Sequence, residues 1–145
     1  MEAQDRPGLT AADVMTPAPR TCSPFSTVVE AVMVFRDCKC GAMPVVDAGQ
    51  PVGILTDRDV ALHVGQFRDL EQRPVADIMT RGVVSVAPDA PLAEVKAKLG
   101  EHGVRRLLVV DAGGQLRGII SWVDLIPHVP DEKIGRVVSE IAEQR

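Results

Sequence analysis

Two short polar motifs in this chain have the residue types and spacing to hold a phosphorylated sugar. Each pairs a hydroxyl residue with an aspartate three positions later, Thr56 with Asp59 and Ser121 with Asp124. Each stands directly after an apolar segment, where a helix is predicted to begin. Unpaired backbone N–H groups at a helix N-terminus attract phosphate, and a carboxylate offers two acceptor oxygens to the vicinal hydroxyls of a ribose. The pattern therefore favours a nucleotide.

The same motif has a simpler explanation. Ser/Thr-x-x-Asp is also a helix-capping device, in which the aspartate accepts a hydrogen bond from the backbone of its own turn. On spacing alone capping is the better explanation, so the surrounding pattern has to decide between a cap and a ligand site.

The motif occurs twice because the chain contains two copies of one unit. Residues 12–16 return almost unchanged as residues 76–80, and residues 45–49 return as residues 109–113, both at an offset of 64. After one additional residue, Gly114, the offset becomes 65. A unit of roughly 60 residues is marginally stable alone. The two copies are therefore predicted to share a core about a pseudo-twofold axis.

Each copy is predicted to run strand, helix, strand, strand, helix. A turn capped by Thr10 or preset by Pro74 precedes the first strand of its copy. The first helix of each copy carries an apolar stripe that we assign to the core: Val28, Val32 and Phe35, then Leu92, Val95 and Leu99. A hairpin with a glycine-bearing turn follows, and the second helix starts at Thr56 or Ser121.

These elements predict an α/β (α+β) fold with two tandem repeats. The predicted boundaries are residues 9–65 for the first repeat, 66–73 for a linker, 74–129 for the second repeat and 130–145 for a C-terminal helix. The apolar face of that last helix suits packing on its own domain or contact with a second copy.

Composition argues against several functional classes. The net charge of −4 and the few aromatic residues, three Phe, one Trp and no Tyr, disfavour binding to nucleic acid. No apolar stretch is long enough to span a membrane, and the N-terminus lacks a signal-peptide core. We therefore expect a cytoplasmic protein. Because no catalytic motif is present, we expect that it is not an enzyme.

The three cysteines, Cys22, Cys38 and Cys40, are odd in number and all lie in the first repeat. They suit a reducing compartment better than a disulfide framework. Cys38-Lys39-Cys40 is too tightly spaced for a zinc knuckle, so no metal site is expected. A redox sensor that pairs Cys22 with Cys38 or Cys40 is a weaker alternative.

The order, spacing and duplication of the segments resemble the cystathionine-beta-synthase (CBS) domain family, whose tandem pairs are called Bateman modules. The resemblance is carried by the Asp-Val-Met-Thr and Asp-Ile-Met-Thr openings and by residues 43–47, 53–60 and 108–111. It implies a pair of βαββα units with two clefts. Such clefts bind AMP, ADP or ATP, and sometimes S-adenosylmethionine or a dinucleotide.

Carried over to this sequence, the resemblance assigns residues to each cleft. Asp59 with Thr56 would hold the ribose in one cleft, and Asp124 with Ser121 in the other. Each cleft would also use the segment after the Met-Thr of the opposite repeat. That segment is Thr80 to Val83 for Asp59, and Thr16 to Arg20 for Asp124.

The resemblance also places the start of the second strand near the phosphates, and here the copies differ. The second has Arg105 and Arg106, whereas the first has Gly41 and Ala42. Because guanidinium groups bind phosphate oxygens in planar, charged pairs, the Asp124 cleft is predicted to prefer a phosphorylated ligand. The alternative is that both arginines are simply solvated.

The sequence therefore predicts a stand-alone regulatory protein with an adenine nucleotide as its regulatory ligand and no required cofactor. It would transmit ligand occupancy to an effector protein or through its own homodimer. The alternative is an interaction dimer with empty clefts, in which both aspartates are only caps.

Overall fold

The computed structural model describes residues 8–128 of the chain. These residues form two compact units, neither of which is one continuous stretch of sequence. The first-repeat unit contains residues 19–83 and 114–116, and the second-repeat unit contains residues 8–18, 84–113 and 117–128. Each unit thus includes the opening segment of the other repeat. The predicted C-terminal helix lies outside the described residues.

Ten helices and strands organise the described residues. In chain order they are α1 (Ala11–Val14), β1 (Thr16–Pro17), α2 (Val28–Cys38), β2 (Ala42–Asp47), β3 (Gln50–Thr56), α3 (Asp57–His63), β4 (Ser85–Val86), α4 (Leu92–His102), β5 (Arg106–Val110) and β6 (Leu116–Ser121). Short 3-10 helices cover Leu70–Gln72, Val75–Asp77 and Trp122–His128. The predicted mixture of helices and strands in two repeats is confirmed.

The second-repeat unit is built on a four-stranded sheet in the order β1-β6-β5-β4. Strand β1, from the opening of the first repeat, runs antiparallel to β6 with Thr16 opposite Ile119. Strand β4 runs parallel to β5. The core of the unit is apolar and includes Val95, Leu99 and Ile120.

The first-repeat unit has the same arrangement, but single bridging residues take the place of its two outer strands. Strands β2 and β3 form the predicted hairpin, with Ala42 opposite Thr56. Single bridges add an extended residue on either side: Thr80 pairs with Ile54, and Cys22 pairs with Val45. Thr80 therefore occupies in this unit the position that Thr16 occupies in the other.

Two glycines allow each Met-Thr segment to lie against its strand. A Cβ atom on Gly53 would stand 2.8 Å from the Thr80 carbonyl oxygen and against Met79. A Cβ atom on Gly118 would stand 2.8 Å from the Thr16 carbonyl oxygen. Only glycine permits so close a backbone approach, so the repeated Gly-Ile and Met-Thr motifs belong to one structural feature.

Threonine caps two of the helices, and the cap at Thr56 is at the predicted position. Thr27 caps α2 and forms a capping box with Glu30, while Thr56 caps α3. The core assignment of the apolar stripes is confirmed for five residues but is wrong for Val32, which is 39% exposed. Helical periodicity places Val32 with Val29 and Met33 on a second apolar face, away from the buried stripe.

The second helix predicted to start at Ser121 forms as a 3-10 helix, Trp122–His128. Pro127 lies inside it and has no N–H to donate to a carbonyl one α-helical turn earlier. The first repeat has Leu62 near this place, and its α3 is α-helical.

The predicted linker has structure of its own. Leu70 is 8% exposed and packs into the first-repeat core, with Phe67 beside that core. The Arg73 guanidinium lies 4.4 Å from the centre of the Phe67 ring and is bonded to Asp69 and Asp77. This segment is therefore part of the first-repeat unit.

The cysteine pattern favoured a reducing compartment over a disulfide framework, and the structure differs from that expectation at two of the three cysteines. Cys38 and Cys40 are joined by a disulfide, and Cys22 is free. The bridge crosses the end of α2, where Lys39 has the left-handed backbone conformation (φ 54°). The left-handed conformation of Lys39 leaves Cys38 and Cys40, which flank it, close enough to form the bridge.

Candidate functional site

In the second-repeat unit, Asp124 caps its helix through one of its two carboxylate oxygens. Its Oδ2 accepts a hydrogen bond of 2.8 Å from the Ser121 backbone N–H. Within residues 8–128, no hydrogen bond reaches its Oδ1. Asp124 and Ser121 are half-buried, which keeps the carboxylate accessible while limiting its exposure to water.

The predicted phosphate-binding arginines lie next to this motif. The Trp122 N–H, one residue after Ser121, donates to the Arg105 carbonyl at 2.9 Å. Arg105 is exposed and Arg106 is half-buried. Neither side chain forms an ion pair or hydrogen bond with another described residue. Both guanidinium groups therefore retain their donors for an anionic ligand.

Thr16 reaches the same region through the sheet. It is exposed and pairs with Ile119, two residues before Ser121. The second-repeat unit thus brings together Thr16, Arg105, Arg106, Ser121 and Asp124. Arg20, which the resemblance assigned to the same cleft, belongs to the first-repeat unit.

In the first-repeat unit the corresponding aspartate is more fully bonded. Asp59 Oδ2 accepts the Thr56 N–H at 2.9 Å, and Thr56 Oγ1 accepts the Asp59 N–H at 3.0 Å. The Thr80 hydroxyl lies 3.3 Å from Asp59 Oδ1 and 3.4 Å from Oδ2. A ligand hydroxyl would have to compete with Thr80 for this carboxylate.

Three other residues predicted for the Asp59 site, Gly41, Ala42 and Val83, offer only backbone atoms and small apolar side chains. The Gly41 carbonyl accepts the Asp57 N–H at 3.1 Å, and Ala42 stands opposite Thr56 in the hairpin. Val83 is half-buried and is the last residue of the long segment, residues 19–83, of this unit. No positive charge stands at Gly41 or Ala42, where the second repeat has two arginines.

Sequence reasoning missed two contacts in these sites. The Thr80 hydroxyl bonds to Asp59, which lies 21 residues earlier in the chain. No short sequence motif predicts that contact. The carbonyls of Gly41 and Arg105 hold the first N–H of the following helices in both repeats. Backbone contacts of this kind do not depend on side-chain identity, so the sequence does not predict them.

Two further features bear on the site. Among the described residues, no group of three or more His, Cys, Asp or Glu side chains is placed to hold a metal ion. In that same part of the chain, no helix has the length and apolar character needed to cross a membrane.

Comparison with known proteins connects both sites to one family. The family model for the CBS domain matches residues 11–65 and 75–131. The CBS domain-containing protein YhcV of Bacillus subtilis (strain 168) is 37% identical over 134 residues, which cover 91% of this chain and 94% of YhcV.

Two solved structures with adenosine-containing ligands resemble the fold. CBSX2 in complex with AMP is 30% identical with a TM-score of 0.69, covering 82% of this chain and 94% of that one. The CBS domain pair of protein MJ0100, in complex with 5'-methylthioadenosine and S-adenosyl-L-methionine, is 27% identical with a TM-score of 0.72. It covers the same shares, 82% and 94%.

Proposed function

This chain belongs to the CBS domain family, and we propose that it is a regulatory protein whose ligand is an adenine nucleotide. The observation that carries the proposal is the state of Asp124. One of its oxygens caps the helix and the other has no partner among the described residues. Nearby are two arginines that form no ion pair with any residue of that same part of the chain. A ribose would bind the free oxygen, and a phosphate would bind the guanidinium groups.

The two sites would differ in affinity. The Asp124 site has two cations and a carboxylate oxygen that no residue within 8–128 binds. The Asp59 site has no cation at Gly41-Ala42, and its aspartate is bonded to Thr80. We therefore assign AMP, ADP or ATP to the Asp124 site and expect weaker binding or none at Asp59. Arg20 and Val83 stay proposed members of the two sites.

The proposed role is regulatory and not catalytic. Ligand occupancy would be passed to an effector protein or to a second copy of the chain, and the protein would act in the cytoplasm. AMP and S-adenosylmethionine in structures of related CBS pairs support an adenosine-containing ligand.

An interaction dimer with empty sites is the second candidate function. It is favoured by the capping bonds, since Asp59 and Asp124 each accept the N–H of their own cap residue. It is also favoured by the exposed apolar face of α2, where Val29, Val32 and Met33 lie.

Isothermal titration of the full chain with AMP, ATP, NAD and S-adenosylmethionine separates the two functions. In the regulatory case, Asp124→Ala removes a charge-assisted hydrogen bond to the ribose of roughly 1.5 to 3 kcal/mol, a loss of about ten- to a hundredfold in affinity. The matched control is Asp13→Ala. Asp13 Oδ2 caps α1 by accepting the Thr10 N–H at 2.7 Å, so its loss affects capping without removing a proposed ligand contact.

The outcome against the proposal is equally specific. If no nucleotide binds below the millimolar range, the interaction dimer is the better account. If Asp124→Ala binds AMP as tightly as the parent while both alanine variants lower Tm equally, Asp124 is a cap and nothing more.

A further inference from the structure

The two repeats end their first helix with the same backbone conformation but different residues. Gly103 ends α4 with φ 61° and ψ 34°, and Lys39 ends α2 with φ 54° and ψ 36°. Each N–H donates to the matching carbonyl, that of Leu99 for Gly103 and that of Phe35 for Lys39. Glycine adopts this left-handed conformation without a steric cost, and lysine does not.

The lysine is flanked by the only disulfide among the described residues. Cys38 and Cys40 have their Cα atoms 5.3 Å apart, within the usual range for a bridged pair. The second repeat has His102 and Val104 at these places. The bridge therefore occurs in the repeat that lacks the glycine, and it spans the strained residue.

The same turn leads directly into the Asp59 site. Gly41 follows Cys40, and its carbonyl accepts the N–H of Asp57, the first residue of α3. The second repeat has the equivalent bond between Arg105 and Trp122 without a bridge. A change at residues 38–40 is thus one residue away from a hydrogen bond that positions the start of α3.

We propose that Cys38 and Cys40 form a reversible dithiol–disulfide switch that holds the left-handed end of α2 and, through Gly41, the start of α3. Its co-substrate is a small-molecule disulfide such as oxidised glutathione. The two thiols lose two protons and two electrons as their S–S bond forms. The small-molecule disulfide takes up these protons and electrons and becomes two thiols. Reduction reverses the exchange.

The surroundings of the cysteines fit this assignment. Cys38 and Cys40 are half-buried and flank the exposed Lys39, so small-molecule thiols and disulfides can approach the pair. Burial raises the pKa of the Cys22 thiol to about 11, so Cys22 stays protonated and reacts slowly. The switch is therefore assigned to the pair and not to Cys22.

Thiol counting on the full chain, equilibrated with oxidised or reduced glutathione, tests the chemistry. After unfolding and alkylation, the oxidised protein is expected to take up one label and the reduced protein three. Cys22→Ser should keep the redox-dependent pair, and Cys38→Ser should abolish it. An S–S bond that includes Cys22, or no bond at any ratio of glutathione forms, overturns the proposal.

Melting and amide exchange test the structural consequence. Reduction is expected to lower Tm by roughly 3 to 6 °C in the parent and to leave the Cys38→Ser/Cys40→Ser variant unchanged. Lys39→Gly, which copies Gly103, should reduce the difference because glycine needs no bridge. The Asp57 amide should exchange about five- to tenfold faster after reduction, while the Trp122 amide serves as an internal control and stays the same.

Equal melting and equal Asp57 exchange in both redox states would overturn the structural role of the bridge. The thiol, melting and exchange measurements use no nucleotide. The redox switch can therefore be confirmed where nucleotide binding fails, and nucleotide binding can be confirmed where the redox switch fails.

Discussion

Asp59 and Asp124 show how one carboxylate can serve the fold and a proposed ligand. Capping occupies Oδ2 in both residues, at 2.9 and 2.8 Å from the cap N–H. The second oxygen then decides what else the residue can do. At Asp59 it faces the Thr80 hydroxyl, and at Asp124 it has no such neighbour among the described residues. Capping and ligand binding are therefore compatible at Asp124.

The arginines make a prediction that separates phosphate recognition from sugar recognition. Arg105→Ala/Arg106→Ala is expected to weaken AMP binding about tenfold or more, because charge-assisted bonds to the phosphate are lost. Adenosine, which has no phosphate, should bind the variant and the parent alike in the same titration.

The control for net charge is Arg36→Ala/Arg68→Ala, which removes two exposed cations of the first-repeat unit. It should leave AMP affinity unchanged at physiological ionic strength. An equal loss of AMP affinity in both double variants would mean that general charge, and not a local phosphate site, attracts the nucleotide.

Gly53 makes a prediction about stability. Gly53→Ala puts a methyl group 2.8 Å from the Thr80 carbonyl oxygen, and relieving that overlap is expected to cost about 1 to 3 kcal/mol of unfolding free energy. Chemical denaturation measures the change. Gly65→Ala is the control, because a Cβ atom at Gly65 meets nothing within 4 Å. Equal stability of Gly53→Ala and the parent would contradict the close approach.

The segment between the repeats acts as a structural element through Arg73. Its Nε donates to Asp69 Oδ1 at 3.1 Å, and its Nη1 donates to Asp77 Oδ2 at 3.4 Å. Two hydrogen bonds lower the pKa of the Asp69 carboxyl in the folded state. The larger effect comes from the Arg73 side chain and the smaller from the backbone N–H of Asp69 itself. Arg73 also covers Phe67, so the charges and the ring hold the segment together.

This lowered pKa predicts a specific pH dependence. A carboxyl whose pKa is lower in the folded state stabilises the fold above its unfolded pKa, and that stabilisation is lost as the pH falls through the folded value. Asp69→Asn should therefore melt below the parent at neutral pH, and the gap should close below about pH 4. Asp69 is fully exposed, so the gap will be small.

The control for this pH series is Asp47→Asn. Asp47 is exposed at the end of β2 and forms no ion pair with another described residue. Its variant should follow the parent at every pH. A gap between Asp69→Asn and the parent that stays constant from neutral to acid pH would show that ionisation of Asp69 does not contribute.

Local signals account for what could be predicted about the elements. Thr10 and Thr56 marked helix starts, and the glycine-bearing turns marked the hairpins, because capping and turn formation depend on a few neighbouring residues. The exposure of Val32 and the 3-10 form of Trp122–His128 depend on packing and on Pro127. The aspartate caps could be predicted for the same local reason, whereas the Thr80 contact with Asp59 could not.

For the molecule as a whole, the most informative departure from sequence order is the exchange of opening segments. Thr16 pairs with Ile119, and Thr80 pairs with Ile54, so each repeat needs the other to complete its sheet. Periodicity in one repeat cannot reveal this. The family resemblance did anticipate it, by assigning Thr16 and Thr80 to the site of the opposite repeat.

The surface of the first-repeat unit differs from that of the second in a way that favours association. Val29, Val32 and Met33 on α2 are 37%, 39% and 48% exposed, and at the offset of 64 their counterparts are Ala93, Lys96 and Ala97. A groove of about 410 Å³ lies beside this face, lined by residues of α2, α3 and the linker that include Val60 and Phe67. We therefore place the proposed dimer contact on the first-repeat unit.

Met33→Glu tests this placement against Ala97→Glu, its matched control on α4. A glutamate at position 33 would have to be desolvated in the dimer contact, and this should raise the dimer dissociation constant about tenfold or more. Sedimentation over a concentration series measures that constant. The glutamate at position 97 adds the same charge at the equivalent, less apolar place, so it should leave association unchanged. A monomeric parent would remove the homodimer from the proposal, and equal effects of the two glutamates would move the contact away from α2.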